Sequence, residues 1–178
     1  HNHLDHILID TLLSIRHKID CVIVARNNGG ELQDPSLKIF FEKLGFYNVI
    51  ELSEFETINF TSCSLTGIPF LGEHADLNVK SKICPLVTFN KGFKMLFAAD
   101  SCNHEPMVYN RIQKIYGDIN VIFLGMECDG APLSWLYGPL LPEKIEREND
   151  QTRRLAGCHF EEAKSLVDSF NTQHVFVY

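Results

Sequence analysis

Apolar positions recur with helical spacing at the start of the chain and gather into short runs after it. Spacings of three or four residues predict an amphipathic helix from about Asp5 to Lys18, with Asp5 and His6 in its first turn. The run from Cys21 to Ala25 predicts a buried strand, Pro35 to Leu44 a helix, and Tyr47 to Leu52 another strand. Because helix and strand alternate here, we expect these two strands to pair in parallel within one sheet.

Strand signals dominate the middle of the chain, and Asn90-Lys91-Gly92 predicts a tight hairpin within a β-meander. The predicted strands are Ser62 to Leu71, Leu77 to Lys80, Pro85 to Phe89 and Phe93 to Ala99. The rest of the chain returns to alternating elements. These are a helix from Glu105 to Tyr116, a strand from Val121 to Met126, a helix from Phe160 to Phe170 and a strand from His174 to Tyr178.

Composition narrows the class of protein. The 178 residues are 45% hydrophobic, with no apolar run near the ~18 residues of a membrane span, so we expect one globular domain over 1–178 and no membrane insertion. The net charge of −7 and the dispersed Lys and Arg argue against a nucleic-acid surface. Six cysteines without a Cys-x-x-Cys pair favour reduced thiols and a cytoplasmic protein, with three disulfides as the alternative.

The first six residues carry four side chains that commonly bind metals: His1, His3, Asp5 and His6. Imidazoles and carboxylates packed so densely are costly to desolvate, whereas a divalent metal needs several of them to converge. The alternatives are an affinity-tag remnant or solvated terminus, and a copper site formed by the terminal amino group and an imidazole. Two further segments, Gly72-Glu73-His74 and Asp100, each follow an apolar run at a predicted strand end.

The order His-x-His-x-Asp-His, then Gly72-Glu73-His74, then Asp100 resembles the metallo-β-lactamase superfamily over nearly the whole chain. The resemblance implies an α/β protein, an αββα sandwich with its metal site at one edge between the sheets. Members of the superfamily usually carry strands before the His-rich segment. We therefore expect this chain to be a fragment of a longer protein, without its N-terminal strands and a C-terminal portion.

The resemblance also implies a ligand set for two metal ions. His1, His3 and either Glu73 or His74 hold one ion, Asp5 and His6 hold the other, and Asp100 bridges them. The superfamily supplies one more late histidine to the second ion. His159 is the best candidate for that ligand, with a residue beyond Tyr178 or a water molecule as alternatives.

Glu73 departs from the superfamily pattern, because zinc hydrolases of this fold have an imidazole ligand after the glycine. A carboxylate there favours iron, so Glu73 is preferred to His74, which would then orient a neighbouring ligand. With Glu73 at this position the chain most resembles the diiron β-hydroxylases, such as the enzyme of chloramphenicol biosynthesis. This resemblance implies two divalent ions, iron before zinc or manganese, and a substrate that is a small molecule or is tethered to a carrier protein.

Two other functions stay open. The first is a dinuclear zinc or manganese hydrolase of ester, amide, thioester or phosphodiester bonds, in which Asp5 and a metal-bound hydroxide act on the substrate. The second is a metal-binding scaffold without catalysis.

A long irregular segment from Glu127 to Gly157 contains the single tryptophan, Trp135, and Tyr137. Long loops inside compact domains are commonly functional, so we predict that both aromatic residues form a substrate wall over the metals. Asp129 follows a predicted strand end, and it either lines the same pocket or serves the turn at Asp129-Gly130.

Overall fold

The computed structural model describes residues 1–2, 6–29, 34–71, 79–126, 134, 138–144, 146 and 158–178. The chain divides into two compact units. The first unit contains His1–Phe70 and Asp76–Phe93, and the second contains Leu71–Ala75 and Lys94–Tyr178. Among the described residues, no helix is both long enough and apolar enough to cross a membrane.

The first unit begins with alternating helices and strands. They are α1 (Ile9–Ile15), a 3-10 helix (Arg16–Lys18), β1 (Val22–Ala25), α2 (Leu37–Lys43) and β2 (Val49–Leu52). β1 and β2 pair in parallel, from Val22 beside Val49 to Ala25 beside Leu52, which confirms the predicted pairing. The Ser36 hydroxyl accepts a hydrogen bond from the backbone N–H of Ile39 at 3.3 Å and so caps α2.

The first helix is shorter than predicted. It begins at Ile9 after an extended Leu8 that offers no capping side chain, so His6 precedes the helix instead of lying in its first turn. Of the predicted apolar face, Ile7 and Leu12 pack against the core of this unit, whereas Leu8 is 64% exposed. One buried cluster of this core consists of Val24, Leu37, Phe46 and Val49.

The first unit also contains an antiparallel meander of β3 (Thr57–Asn59), β4 (Cys63–Pro69) and β5 (Ile83–Phe89). The hairpin after β5 is confirmed, since the Phe89 N–H donates to the Phe93 carbonyl at 2.9 Å and Gly92 has a φ of +82°. The predicted strand from Leu77 to Lys80 is wrong at Val79 and Lys80, which belong to no strand; residues 77 and 78 lie outside the described residues. The Lys80 N–H donates to a side chain, Asp34, at 3.0 Å.

In the described part of the second unit there are three parallel strands and two longer helices. They are β6 (Lys94–Ala99), α3 (Pro106–Tyr116), β7 (Val121–Leu124), α4 (Phe160–Ser169) and β8 (His174–Val177), with a 3-10 helix at Gly138–Leu140. β7 pairs in parallel with both β6 and β8. The two helices contribute the buried residues Tyr109, Ile112, Ala163 and Leu166. Phe123 stacks between Phe97 and Phe176, with ring centroids 4.9 and 5.0 Å apart.

Candidate metal centre

Two of the predicted imidazole ligands lie together in the first unit. The ring centroids of His1 and His6 are 4.4 Å apart, and the edge of the Phe70 ring packs against His1 at 5.3 Å. Phe70 is buried and directly follows β4, so the end of that strand supports the first histidine. The predicted ligands His3 and Asp5 lie outside the described residues.

Asn2 fastens the start of the chain to a buried carboxylate that was not predicted. Its Nδ2 donates to Oδ1 of Asp34 at 3.2 Å. The other oxygen, Oδ2, accepts from the backbone N–H groups of Lys80 and Ser81 at 3.0 and 3.1 Å and from the Ser81 hydroxyl at 3.0 Å. Because Asp34 is only 1% exposed, this network ties the residue between His1 and His3 to the segment before β5.

In the second unit, Asp100 follows β6 at a backbone turn. Ala99 has a φ of 49°, in the left-handed region, and its carbonyl accepts a hydrogen bond from the Gly125 N–H at 2.7 Å. A Cβ on Gly125 would lie 2.8 Å from Oδ1 of Asp100. The absence of a side chain at Gly125 therefore leaves the space that the Asp100 carboxylate occupies, and sequence patterns gave no sign of this.

Leu71, two residues before Glu73 in the sequence, forms backbone hydrogen bonds with the two residues that follow Asp100. The Ser101 hydroxyl accepts from the Leu71 N–H at 2.9 Å and donates to the Leu71 carbonyl at 3.1 Å. The same hydroxyl is hydrogen bonded to the Tyr109 hydroxyl, and the Cys102 N–H donates to Leu71 at 2.7 Å. Glu73 and His74 lie outside the described residues, as do Asp129, Trp135 and Tyr137.

His159 lies at the start of α4, and its place as a metal ligand stays a prediction. Its Nδ1 accepts a hydrogen bond from the Glu161 N–H at 3.2 Å and so caps the helix. Its Nε2 faces Oε2 of Glu162 at 3.9 Å. The Asn103 amide donates to the Ser165 hydroxyl at 2.8 Å, and α3 begins without a side-chain cap.

The chemistry of these residues suits a hard or borderline transition metal. Imidazole nitrogens are ligands for iron, zinc and copper, and carboxylate oxygens suit harder ions such as manganese. Of the predicted ligand set, His1, His6, Asp100 and His159 lie among the described residues, and the rings of His1 and His6 are paired. They fit iron or zinc better than magnesium or calcium, which prefer oxygen ligands alone.

Known proteins similar to this chain include a hydroxylase and a diiron enzyme. No protein-family model matches the chain. The chain is 42% identical over all its 178 residues to the 4-amino-L-phenylalanyl-[CmlP-peptidyl-carrier-protein] 3-hydroxylase of Streptomyces venezuelae, and it covers 33% of that protein. It also superposes on the crystal structure of CmlA, a diiron β-hydroxylase from Streptomyces venezuelae, with a TM-score of 0.83, 42% identity and coverage of 100% of this chain and 34% of that one.

A more distant structure shares the fold alone. A possible metal-dependent hydrolase from Veillonella parvula gives a TM-score of 0.64 at 14% identity, with 99% of this chain and 58% of that one covered. The chain thus spans about a third of the length of the curated relative that it matches. It is a homologue of the CmlA diiron β-hydroxylase and has the α/β fold of the metallo-β-lactamase superfamily.

Proposed function

We propose that this chain holds two iron ions and belongs to a non-haem diiron hydroxylase whose substrate is carried on a carrier protein. The observation that carries the proposal is the 42% identity, over the whole chain, to a hydroxylase of a carrier-bound amino acid. The metal-ligand pattern from His1 to Asp100 supports it independently. A reduced, cytoplasmic setting is part of the proposal.

In this proposal His1, His3 and Glu73 hold one iron, while Asp5 and His6 hold the other. Asp100 bridges the two ions, and His159 is the candidate for the last position. Two irons held by these residues would supply the dioxygen chemistry that hydroxylation requires, with electrons from an external reductant. The close approach of the His1 and His6 rings supports the histidine part of the set.

The protein's own residues fix the geometry of these ligands. Asp34 orients the start of the chain through Asn2, and Phe70 supports the His1 ring. Ser101, next to Asp100, is hydrogen bonded to the backbone of Leu71, two residues before Glu73 in the sequence. Ligands held on rigid elements bind metal with little reorganisation. Trp135, Tyr137 and Asp129 are proposed to line the substrate side.

The test is elemental analysis of the whole protein, expressed without a histidine tag or added metal and purified without chelators. About two irons per chain are expected, and dioxygen uptake should rise with an amino acid loaded on its carrier protein but not with the free amino acid. Two zinc ions per chain would overturn the proposal in favour of the hydrolase. If the protein binds no metal, a non-catalytic scaffold is the function that remains.

Glu73→His separates the two enzymes further. An imidazole at this position restores the pattern of zinc hydrolases, so the variant should lose iron and hydroxylation while it keeps or gains zinc. The matched control is His74→Gln, which should keep two irons if Glu73 is the ligand. If His74→Gln loses iron and Glu73→His does not, the ligand assignment is reversed.

A further inference from the structure

Cys102, Cys158 and Glu162 form a further group of side chains of the kinds that bind metals, and all three belong to the second unit. The two sulfur atoms and a carboxylate oxygen all lie within 4.8 Å of one another. Both cysteines are buried, at 1% and 0% exposure, and the Glu162 side chain is 24% exposed. Cys102 and Cys158 are distant in sequence. An isolated parallel β-bridge between Met126 and Cys158 helps to place the second thiol.

Backbone carbonyls directly after β6 accept hydrogen bonds from both thiols. The Cys158 thiol donates to the Ser101 carbonyl at 3.1 Å, and the Cys102 thiol donates to the Asp100 carbonyl at 3.6 Å. Two thiolates and a carboxylate can share such a space only if a cation neutralises them.

The imidazole of His104 lies within hydrogen-bond distance of Glu162. Nδ1 of His104 lies 2.9 Å from Oε1, and Nε2 of His159 lies 3.9 Å from Oε2. A carboxylate oriented by an imidazole in this way is a recurrent support for metal ligands.

We propose that Cys102, Cys158 and Glu162 bind a zinc ion, with one coordination position left open, in a site that shares no ligand with the iron centre. Two soft thiolates select zinc over the harder ions that suit a cage of imidazoles and carboxylates. In a tetrahedral site, bonds of about 2.3 Å to sulfur and about 2.0–2.2 Å to oxygen set ligand atoms about 3.5–3.8 Å apart. The three ligand atoms lie within 4.8 Å of one another. Each thiol releases one proton to solvent as zinc binds, so two protons leave per ion.

The experiment uses the whole protein, stripped of metal under reducing conditions and titrated first with cobalt(II) and then with zinc. Near-ultraviolet thiolate-to-cobalt absorption should appear and then disappear as zinc displaces cobalt. X-ray absorption at the zinc edge should show two sulfur neighbours at about 2.3 Å. Zinc spectra without sulfur neighbours would overturn the proposal.

Variants separate this site from the iron centre. Cys158→Ser should lose the cobalt absorption and one zinc per chain while its iron content stays at the wild-type value. Cys63→Ser, on β4, is the matched control and should change neither. If the buried serine prevents folding, Glu162→Gln tests the same ion from a partly exposed position, and His104→Ala should weaken zinc binding by about 10–100-fold.

Two results would contradict the zinc site. One is an unchanged zinc content in both Cys158→Ser and Glu162→Gln. The other is a Cys102–Cys158 disulfide in protein isolated without reductant, shown by a mass lower by two hydrogens, that reforms in the presence of excess zinc. Neither result bears on the iron content, so the failure of this site and the failure of the proposed hydroxylase are distinguishable.

Discussion

Asp34 and Asn2, separated by 32 residues in sequence, are joined by a hydrogen bond of 3.2 Å between Oδ1 and Nδ2. The same carboxylate accepts hydrogen bonds from the backbone N–H of Lys80 and the backbone N–H of Ser81. One buried side chain thus connects the residue between two predicted metal ligands with the segment that precedes β5. The position of His1 depends on this carboxylate as well as on its own packing against Phe70.

Asp34→Ala should destabilise the protein by about 2–4 kcal/mol, because two backbone N–H groups and a hydroxyl lose their buried acceptor. Asp34→Asn keeps the shape and one carbonyl oxygen, so we expect a smaller loss of stability but a clear loss of bound metal. Urea denaturation and elemental analysis measure the two effects. Asp10→Ala, at an exposed position in the first turn of α1, is the control. Equal stability of Asp34→Ala and the control would contradict the role of this network.

Gly125→Ala should impair metal binding with little effect on the fold. The added methyl group would lie 2.8 Å from Oδ1 of Asp100 and 3.1 Å from the Ala99 carbonyl, so the carboxylate must move. A carboxylate displaced in this way should bind metal at least about 10-fold more weakly, as changes around ligands commonly do. Competition with a chelator measures the affinity. Gly138→Ala, where the nearest atom would be 3.9 Å away, should bind metal as the wild type does.

How far the sequence predicted the structure depends on the range of each interaction. The run from Cys21 to Ala25 predicted β1, observed at Val22–Ala25, because a continuous apolar segment needs burial, and the parallel partner followed from the intervening helix. The start of α1 was misplaced because Leu8 offers no cap, and apolar spacing alone does not mark a helix boundary. Asp100 does follow β6, as the pattern of an apolar strand and a terminal carboxylate indicated.

The unpredicted features join residues far apart in sequence. The residues around Asp34 do not indicate that its carboxylate accepts hydrogen bonds from Lys80 and Ser81. In the same way, the sequence around Gly125 does not indicate that this residue faces Asp100. The pairing of Cys102 with Cys158 was hidden for the same reason, because no short cysteine spacing marks it. Such contacts follow from the packing of strands and loops and not from periodicity.

Gly67→Ala should destabilise the first unit whether or not metal is bound. A Cβ at this position in β4 would lie 2.3 Å from the Ser53 carbonyl oxygen, which belongs to the backbone and cannot move aside as a side chain could. The Gly67 carbonyl also accepts a hydrogen bond from the Phe55 N–H at 2.7 Å, which holds β4 close to the segment that contains Ser53. We expect a loss of about 3 kcal/mol or more, at the upper end for overpacking. A urea midpoint equal to that of Gly138→Ala would contradict this prediction.

Glu56 should make stability depend on pH in the acid range. The Ser53 N–H donates to Oε2 at 2.9 Å and Arg26 contacts the same oxygen at 3.2 Å. The backbone hydrogen bond first, and Arg26 second, lower the pKa of Glu56 below its ordinary 4.5. Because the folded protein has the lower pKa, this stabilisation is present above about pH 4.5 and is lost as pH falls through the folded value.

Glu56→Gln should therefore be less stable than the wild type at pH 7, and the difference between their urea midpoints should shrink as the pH is lowered from about 5 to 3. The interaction is exposed, so added salt should weaken the contribution of Arg26 and leave that of the backbone hydrogen bond. Glu42→Gln on α2 is the control for loss of a surface charge. A difference between Glu56→Gln and the wild type that stays constant across this pH range would show that the hydrogen bonds at Glu56 do not favour its charged form.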